Sequence, residues 1–219
     1  EKKITNLEKI AKSNDKEALK GLEILKVYKE HLENFQPAHS AAVKEEDKRF
    51  VKDLNLLTIK PVMYVCNVDE ASAINGNQHT EAVYEALRED KTEILVIAAA
   101  LEADIAELET HEERDEFLED AGLNEPGVDK LIRSAYNLLN LQTFFTVGPK
   151  EIRAWTLKKG MSAPEAAGVI HSDLQKGFIR AEVMHFNDFI EQGSELKCKE
   201  TGKLHVEGKN YIVRDGDIL

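Results

Sequence analysis

The chain has 219 residues, with 29 Lys or Arg against 41 Asp or Glu, so its formal charge at pH 7 is −12. This charge excludes a bulk attraction to nucleic acid or to anionic membranes, and any nucleic-acid contact needs a local basic face. No apolar run approaches the roughly 20 residues of a membrane span, and no signal-peptide core is recognisable. Two cysteines, Cys66 and Cys198, are too few for a disulfide framework. We expect a cytoplasmic protein with reduced thiols.

The first predicted element is a helical hairpin. Apolar residues recur at helical spacing over residues 1–12 and again in the segment that follows, among many Lys and Glu. Asn14, with Glu17 three residues later, resembles a capping box and predicts the start of the second helix. With a third helical stretch at 45–57, we expect a coiled-coil arm over residues 1–57. Surface helices packed on another body are the alternative.

Residues 58–140 show a strand–helix–strand–helix pattern. The apolar runs at 61–66 and 94–97 are typical of buried parallel strands. Helices are expected at residues 77–89, 104–121 and 128–141. The pattern predicts an α/β fold with a parallel sheet. Ligands of such sheets bind beyond the carboxyl ends of the strands, where residues 67–70 and 98–101 lie.

The last domain, residues 141–219, changes to short strands around one helix. The strands of a hairpin, the helix and two later β segments are predicted at residues 143–147, 152–157, 166–175, 178–184 and 211–213. Gly148 and Pro149 supply the hairpin turn. Ser162 and Glu165 form a capping box at the start of the helix. This combination predicts a small α+β domain of β-grasp type.

The string Asn67-Val68-Asp69-Glu70 directly follows the first predicted strand. Nucleotide-binding folds of the GTPase type carry Asn-Lys-x-Asp at this place, and the final carboxylate accepts two hydrogen bonds from guanine. Here Val68 replaces the Lys and Glu70 replaces the Asp. Because N1 of adenine is itself an acceptor, a longer side chain that can swing away is compatible with adenine. A polar loop that caps a strand is the alternative interpretation.

Several longer sequence strings, spread over nearly the whole chain, accompany this motif. The most specific read LNLQTFFTVG at 139–148, KGFIRAE at 176–182 and GKNYIVRDGD at 208–217; others lie at 61–70, 98–108, 112–117, 153–156 and 170–173. Together they resemble the YchF branch of the Obg-like ATPases. The resemblance implies the C-terminal part of a P-loop G domain that prefers ATP to GTP, a coiled-coil arm and a C-terminal TGS domain. It also implies association with ribosomes or RNA.

The resemblance further implies roles for single residues. Asn67 would contact the adenine edge, and the backbone carbonyl of Val68 would accept from the adenine amino group. Glu70 would occupy the altered specificity position. Ala98 and Ala99 would form a second loop beside the base. ATP and Mg²⁺ would be the ligands of the intact protein.

A phosphate-binding loop is not recognisable in the sequence. It needs Gly-x-x-x-x-Gly-Lys-Ser/Thr after a strand, whereas the nearest string, at 122–129, ends in Val-Asp and follows a helix. The chain begins without Met inside a helical pattern and stops where an apolar strand begins, so we expect both ends to be cut. We therefore expect no catalytic residue here, and neither bound nucleotide nor hydrolysis in this chain alone.

Five cations of the last domain could form an RNA-binding face: Arg153, Lys158, Lys159, Lys176 and Arg180. Residues 141–219 are close to neutral, so they could approach phosphates locally even though the whole chain is acidic. An ordinary solvated surface is the alternative. If nucleotide binding only regulates the arm and the C-terminal domain, the chain is a non-catalytic module that binds RNA or the ribosome. A stand-alone protein that has lost nucleotide binding is the third possibility.

His171 and Asp173 form the remaining candidate pair. A His–carboxylate pair can act in acid–base catalysis, but no nucleophile pattern lies near it, and a role in helix packing is the expectation. The seven His residues show no zinc-binding spacing, so we expect no metal site.

Overall fold

The computed structural model describes residues 1–89, 92–148 and 151–219. The chain divides into two compact units, Glu1–Val62 and Met63–Leu219. The first unit ends five residues beyond the predicted end of the helical arm. The predicted boundary after residue 140 lies inside the second unit and stays a prediction.

The first unit contains two helices that pack against each other and three short 3₁₀ segments. They are α1 (Lys2–Ala11), α2 (Lys16–Glu33), and the 3₁₀ segments Ala38–Ser40, Glu45–Leu54 and Leu57–Ile59. Its core is built around Leu25, Tyr28 and Val51, which are 3%, 2% and 1% exposed. The predicted cap of α2 is wrong by one residue, because Asp15 accepts from the Ala18 N–H at 2.8 Å. Asn14 instead takes a positive φ of 63° in the turn between the helices.

The second unit begins with two parallel strands and four helices. They are β1 (Tyr64–Asn67), α3 (Gln78–Ala86), β2 (Ile94–Ile97), α4 (Ala99–Glu107), α5 (His111–Asp120) and α6 (Gly127–Leu138). β1 and β2 pair in parallel, with Tyr64 opposite Ile94 and Asn67 opposite Ile97. The predicted parallel α/β arrangement is therefore confirmed.

The prediction of one helix over 104–121 is wrong, because a capping box begins a new helix at Thr110. The Thr110 hydroxyl accepts from the Glu113 N–H at 3.2 Å, and the Glu113 carboxylate accepts from the Thr110 N–H at 3.1 Å. The second bond stabilises the charged form and lowers the pKa of Glu113. The Arg114 guanidinium donates to the Leu108 carbonyl at 2.7 Å, which holds the bend between the two helices.

The rest of the second unit forms a five-stranded sheet with helices on both faces. Its elements are β3 (Leu141–Val147), β4 (Ile152–Lys158), α7 (Ala163–Ile170), α8 (Ser172–Lys176), β5 (Ala181–His185), α9 (Phe186–Gln192), α10 (Glu195–Glu200), β6 (His205–Glu207) and β7 (Asp217–Ile218). The strand order is β4-β3-β7-β5-β6, and only the β3–β7 pair is parallel. A hairpin next to a parallel central strand is consistent with the predicted β-grasp type.

Two predictions for this region need correction. The hairpin strands are confirmed, although Pro149 of the proposed turn lies outside the described residues. The helix predicted over 166–175 is two helices, because the backbone at His171 is extended (φ −161°). The β segment predicted at 211–213 is a single bridge between Ile212 and Ser162. α9, α10 and β6 were not predicted.

The capping box at Ser162 is confirmed. The Ser162 N–H and hydroxyl both donate to Glu165, at 2.7 and 2.6 Å. These bonds favour the carboxylate, the hydroxyl bond most strongly, and lower the pKa of Glu165. α7 thereby begins where Ala163 and Ala166, both 0% exposed, pack against Phe144 of the sheet. The opposite face of the sheet packs against α9 and α10.

Candidate nucleotide-base site

The candidate site lies where β1 and β2 end side by side. The strand register puts Asn67 opposite Ile97, and the Val68 N–H donates to the Ile97 carbonyl at 3.0 Å. The chain therefore leaves both strands at the same edge of the sheet, as ligand-binding edges of parallel sheets do.

Asn67 connects the two loops at this edge. Its Oδ1 accepts from the Ala99 N–H at 3.0 Å. Ala98 is the N-cap residue of α4 and has no side-chain oxygen. Asn67, from the neighbouring strand, satisfies the Ala99 N–H, one of the first N–H groups that no residue of the helix can satisfy. Because Oδ1 is used in this way, the Nδ2 amide is the group left for a ligand. Asn67 is exposed.

Val68 and Glu70 face in different directions. The Val68 side chain is half-buried and packs against the cluster that contains Ala98 and Leu101. Only the backbone of Val68 can therefore meet a ligand. Asp69 Oδ1 accepts from the Ser72 N–H at 2.9 Å and caps the 3₁₀ turn Glu70–Ser72. Glu70 is exposed at the start of that turn.

The structure thus brings together Asn67, Val68, Ala98 and Ala99, with Glu70 at the rim. Ala98 is 3% exposed and Ala99 is exposed. Of these two alanines, only Ala99 is open to a ligand. Both observed bonds, from the Ser72 N–H to Asp69 and from the Ala99 N–H to Asn67, lie within the protein, so the alternative of a purely structural polar loop stays open.

Sequence reasoning missed a carboxylate that fastens this edge to α6. Glu102 lies one turn after Ala98 and accepts from the Gly127 N–H at 2.7 Å and from the Val128 N–H at 3.1 Å. These are N–H groups of the first turn of α6, which no residue of the helix can satisfy. The string at 122–129 therefore leads into α6, whose first turn Glu102 holds. Pro126 before a helical pattern was the available signal, but the identity of the acceptor depends on the fold.

The five predicted cations are divided between the two faces of the C-terminal sheet. Side chains alternate along β4, so Arg153 and Lys158 point to opposite faces. Arg153 lies over the ring of Trp155, 4.3 Å from its centroid, and Trp155 packs in the core beneath α7. Arg180 lines the same side of the sheet, together with residues of α7 and α8. Lys176 ends α8.

The other two cations lie beside α6. Lys158 is opposite Leu141 in the strand register, on the face that α6 covers. Lys159 donates to Asn137 Oδ1 of α6 at 3.2 Å. The five residues therefore form two groups rather than one continuous face.

His171 has a structural role. Its Nδ1 accepts from the Asp173 N–H at 3.2 Å, so the imidazole caps α8. Both side chains are exposed, and the ring nitrogen lies 3.6 Å from the Asp173 carboxylate. The expectation of a structural rather than catalytic role fits this cap, although the contact is a cap rather than core packing.

A second polar centre, which sequence reasoning missed, lies inside the C-terminal sheet. Asp217 is 0% exposed and accepts from His185 Nδ1 at 2.7 Å, from the Tyr211 hydroxyl at 2.8 Å and from the Arg214 N–H at 2.8 Å. Burial, and then the bond to Asp217, raise the pKa of Tyr211. The carboxylate thereby closes the loop that precedes β7.

Within residues 1–89, 92–148 and 151–219, no helix is both long and apolar enough to cross a bilayer. The same residues hold no cluster of three or more His, Cys, Asp or Glu suited to a metal ion.

The chain is similar to proteins that carry the name YchF. Residues 141–219 match the family YchF-GTPase_C, described as a protein of unknown function (DUF933). The whole chain is 47% identical to the ribosome-binding ATPase YchF of Bacillus subtilis (strain 168) and 45% identical to that of Escherichia coli O157:H7, and it covers 60% of each.

A solved structure agrees with the sequence comparisons. The YchF GTPase of Schizosaccharomyces pombe superposes with a TM-score of 0.81 at 31% identity, over 99% of this chain and 59% of that one. The chain therefore spans about 60% of the length of the relatives that it matches. Residues 141–219 therefore form a YchF C-terminal domain, and the chain as a whole is homologous to YchF proteins.

Proposed function

We propose that this chain supplies the base-binding side of an adenine-nucleotide site in a ribosome-associated ATPase. The observation that carries the proposal is the hydrogen bond from the Ala99 N–H to Asn67 Oδ1 at 3.0 Å. It joins the two loops that a purine would contact, at the edge of a parallel sheet where ligands bind. The Bacillus subtilis and Escherichia coli relatives are named ribosome-binding ATPases, which supports the same assignment.

The specificity for adenine is part of this proposal. The Val68 backbone carbonyl would accept from the adenine amino group, because the side chain packs inward and leaves the backbone as the available group. Glu70 stands where a guanine-specific site needs a shorter carboxylate. Its exposed position on a short turn leaves it free to turn away from the acceptor at N1 of adenine.

The phosphate groups would be held by residues outside these 219. The chain contains no Gly-x-x-x-x-Gly-Lys-Ser/Thr string, and such a loop is the usual cradle for nucleotide phosphates. The exposure of Tyr64 and Val65 on β1, 42% and 45%, supports a sheet that further chain would cover. We therefore propose that ATP and Mg²⁺ bind, and that hydrolysis occurs, only when that part is present.

The test compares this chain with a completed chain. In the completed chain, the part of the Bacillus subtilis relative that precedes the matched region is joined to residue 1. We expect ATP hydrolysis by the completed chain and none by the 219 residues alone, with ATP bound more tightly than GTP in competition titrations. Hydrolysis by the 219 residues alone, or preference for GTP, would contradict the proposal.

Ribosome association is measured separately. Both chains are sedimented with purified ribosomes, and we expect both to pellet because the arm and the C-terminal sheet are present in each. If only the completed chain pelleted, the non-catalytic binding module would be the wrong description of these residues.

A further inference from the structure

One edge of the C-terminal sheet is open to solvent. β4 is the outermost strand in the order β4-β3-β7-β5-β6, and β3 is its partner in the described part of the chain. From this edge we infer that the chain binds an acidic peptide in extended conformation, which adds to the sheet beside β4 as a further strand. The inference does not depend on the proposed nucleotide site, which lies at the other sheet of the second unit.

The hydrogen bonds between β3 and β4 determine which backbone groups of β4 face outward. At one end of the pair the Lys159 N–H donates to the Asn140 carbonyl at 2.8 Å, and at the other end the Gly148 N–H donates to the Glu151 carbonyl at 3.0 Å. Bonded and non-bonded residue pairs alternate in an antiparallel ladder. Every second residue of β4, from Ile152 onward, therefore turns its N–H and its carbonyl away from β3.

These outward backbone groups are unpaired. Neither the N–H nor the carbonyl of Ile152, Ala154 and Thr156 forms a hydrogen bond within residues 1–89, 92–148 and 151–219. The same alternation holds on β3, because the Leu219 N–H donates to the Phe145 carbonyl at 2.8 Å on the β7 side. Three N–H groups and three carbonyls thus form a row along β4, which is the surface that an added strand pairs with.

β4 lacks most of the features that protect edge strands from pairing. Its seven residues pair with β3 without a bulge and include no Pro, and Ile152 is 74% exposed. Charge is the protective feature that β4 does have, because Arg153 and Lys158 lie on it. Cations repel a second copy of the same strand and attract a strand that carries carboxylates. An acidic peptide is therefore the occupant that this edge favours.

Arg153 and Lys158 are both available to the carboxylates of a partner. Both side chains are exposed, and neither pairs with a carboxylate in the described ranges. Arg153 lies over the ring of Trp155, 4.3 Å from its centroid, and this contact limits where the guanidinium can lie. The two cations are five residues apart and so point to opposite faces of the sheet. Carboxylates opposite them on an added strand need the same spacing of five residues.

The charges around β4 keep a small positive excess when the neighbouring carboxylates are counted. Residues 151–159 contain three cations and one carboxylate. Residues 125–138, which include α6, balance two carboxylates with two cations, and residues 163–176, which include α7 and α8, contain two carboxylates and one Lys. Because the excess is a single charge, the preference for carboxylates rests on the positions of Arg153 and Lys158 and not on bulk attraction.

An RNA strand is the competing occupant, because it also carries negative charge. Its sugar–phosphate backbone has no regular row of N–H donors to meet the carbonyls of β4. A peptide strand supplies both donors and acceptors at the spacing of the sheet. The open backbone groups therefore favour a peptide.

The test is fluorescence anisotropy of a labelled eight-residue peptide of Val and Thr, with Glu at its second and seventh positions, titrated with the full 219-residue chain. The control peptide has the same composition with Glu at its second and sixth positions, which places one carboxylate on the wrong face of the strand. We expect the first peptide to bind about fivefold more tightly, as for one charge pair. Equal binding of both peptides, as cations that serve any flexible polyanion would give, or no binding of either would overturn the inference.

Charge reversal on β4 tests the positions of the two cations. Arg153→Glu and Lys158→Glu should each raise the Kd of the first peptide about fivefold. Lys199→Glu and Lys209→Glu, at exposed cations outside β4, are the matched controls and should leave it unchanged. The chain with both β4 reversals should bind a peptide that has Lys in place of Glu. Equal losses in the controls, or no binding in this exchange, would contradict the proposed pairing.

Hydrogen exchange of the unaltered chain tests the backbone pairing and stays informative if a variant does not fold. In the free chain the amide protons of Ile152, Ala154 and Thr156 should exchange quickly, whereas those of Trp155 and Leu157, which bond to β3, should exchange slowly. Saturating peptide should slow the exchange of the first three. Unchanged exchange at these three residues would overturn the inference. Slow exchange that appears in the free chain as its concentration rises would also overturn it, because a second copy would then occupy the edge.

Discussion

The two sheets of the second unit differ in how completely they cover their apolar side chains. The five-stranded sheet has helices on both faces, and Phe144 and Val183 are 0% and 1% exposed. In the parallel pair, Tyr64 and Val65 of β1 are 42% and 45% exposed. The five-stranded sheet has a core of its own, whereas the parallel pair carries the proposed ligand edge on strands with little core. The buried core and the proposed nucleotide site thus lie in different sheets of this chain.

The largest expected effect separates the two sheets directly. Phe144→Ala should lower the free energy of unfolding by about 3–5 kcal/mol, because a fully buried ring leaves a cavity. Val65→Ala, at a half-exposed position, should cost less than about 1 kcal/mol. Urea unfolding followed by Trp155 fluorescence and by circular dichroism measures both. Equal losses would mean that the two sheets share one core.

The second prediction concerns the buried carboxylate. Asp217→Asn should cost about 2–3 kcal/mol, because the amide NH₂ cannot accept the hydrogen bonds that one carboxylate oxygen now receives. Asp215→Asn is the matched control, since Asp215 is exposed and accepts only from the Thr143 N–H in the described part of the chain. Similar midpoints for the two variants in urea would show that burial of Asp217 does not matter.

The third prediction tests the link between the ligand edge and α6. Glu102→Ala leaves the Gly127 and Val128 N–H groups without their acceptor, and should cost about 1 kcal/mol, the usual value for a lost helix cap. Asp104→Ala, an exposed carboxylate on the same helix, should change the melting temperature little. If Asp104→Ala lowered it as much, the effect would come from helix charge and not from the cap.

The smallest effect at neutral pH is a change in alkaline stability. The pKa of Tyr211 is raised in the folded state by burial and by Asp217. A raised pKa contributes stability that is complete below the ordinary tyrosine value of about 10 and is lost as the pH rises above it. Tyr211→Phe should therefore flatten the loss of stability, followed by Trp155 fluorescence, between about pH 10 and 12. An unchanged slope would contradict this assignment.

Much of the fold could be predicted because local sequence decides it. The apolar runs that became β1 and β2 and the capping box at Ser162 are short-range signals, and the structure confirms them. The helix break at Thr110 also has a local signal, Thr-x-x-Glu, whereas the break at His171 is seen as extended backbone in the structure. Helical periodicity continues through both positions, which is why one helix was predicted at each.

The parts that could not be predicted depend on contacts far apart in the chain. Asp217 lies in a string of polar turn residues, and only folding brings His185, 32 residues away, to its carboxylate. Glu102 likewise finds its partners 25 and 26 residues later. The division of the five cations between two faces follows from the strand register and from helix packing. Neither of these can be derived from the composition of the chain.

The most direct test of the central claim is the affinity of the completed chain for ATP when Asn67 is replaced. Asn67→Ala removes the acceptor of the Ala99 N–H and separates the two loops that should hold the base, so we expect the Kd for ATP to rise about tenfold, as for the loss of one well-placed hydrogen bond. His171→Ala, in the C-terminal region, should leave it unchanged. An unaltered Kd in Asn67→Ala would contradict the account, because the base would then bind elsewhere.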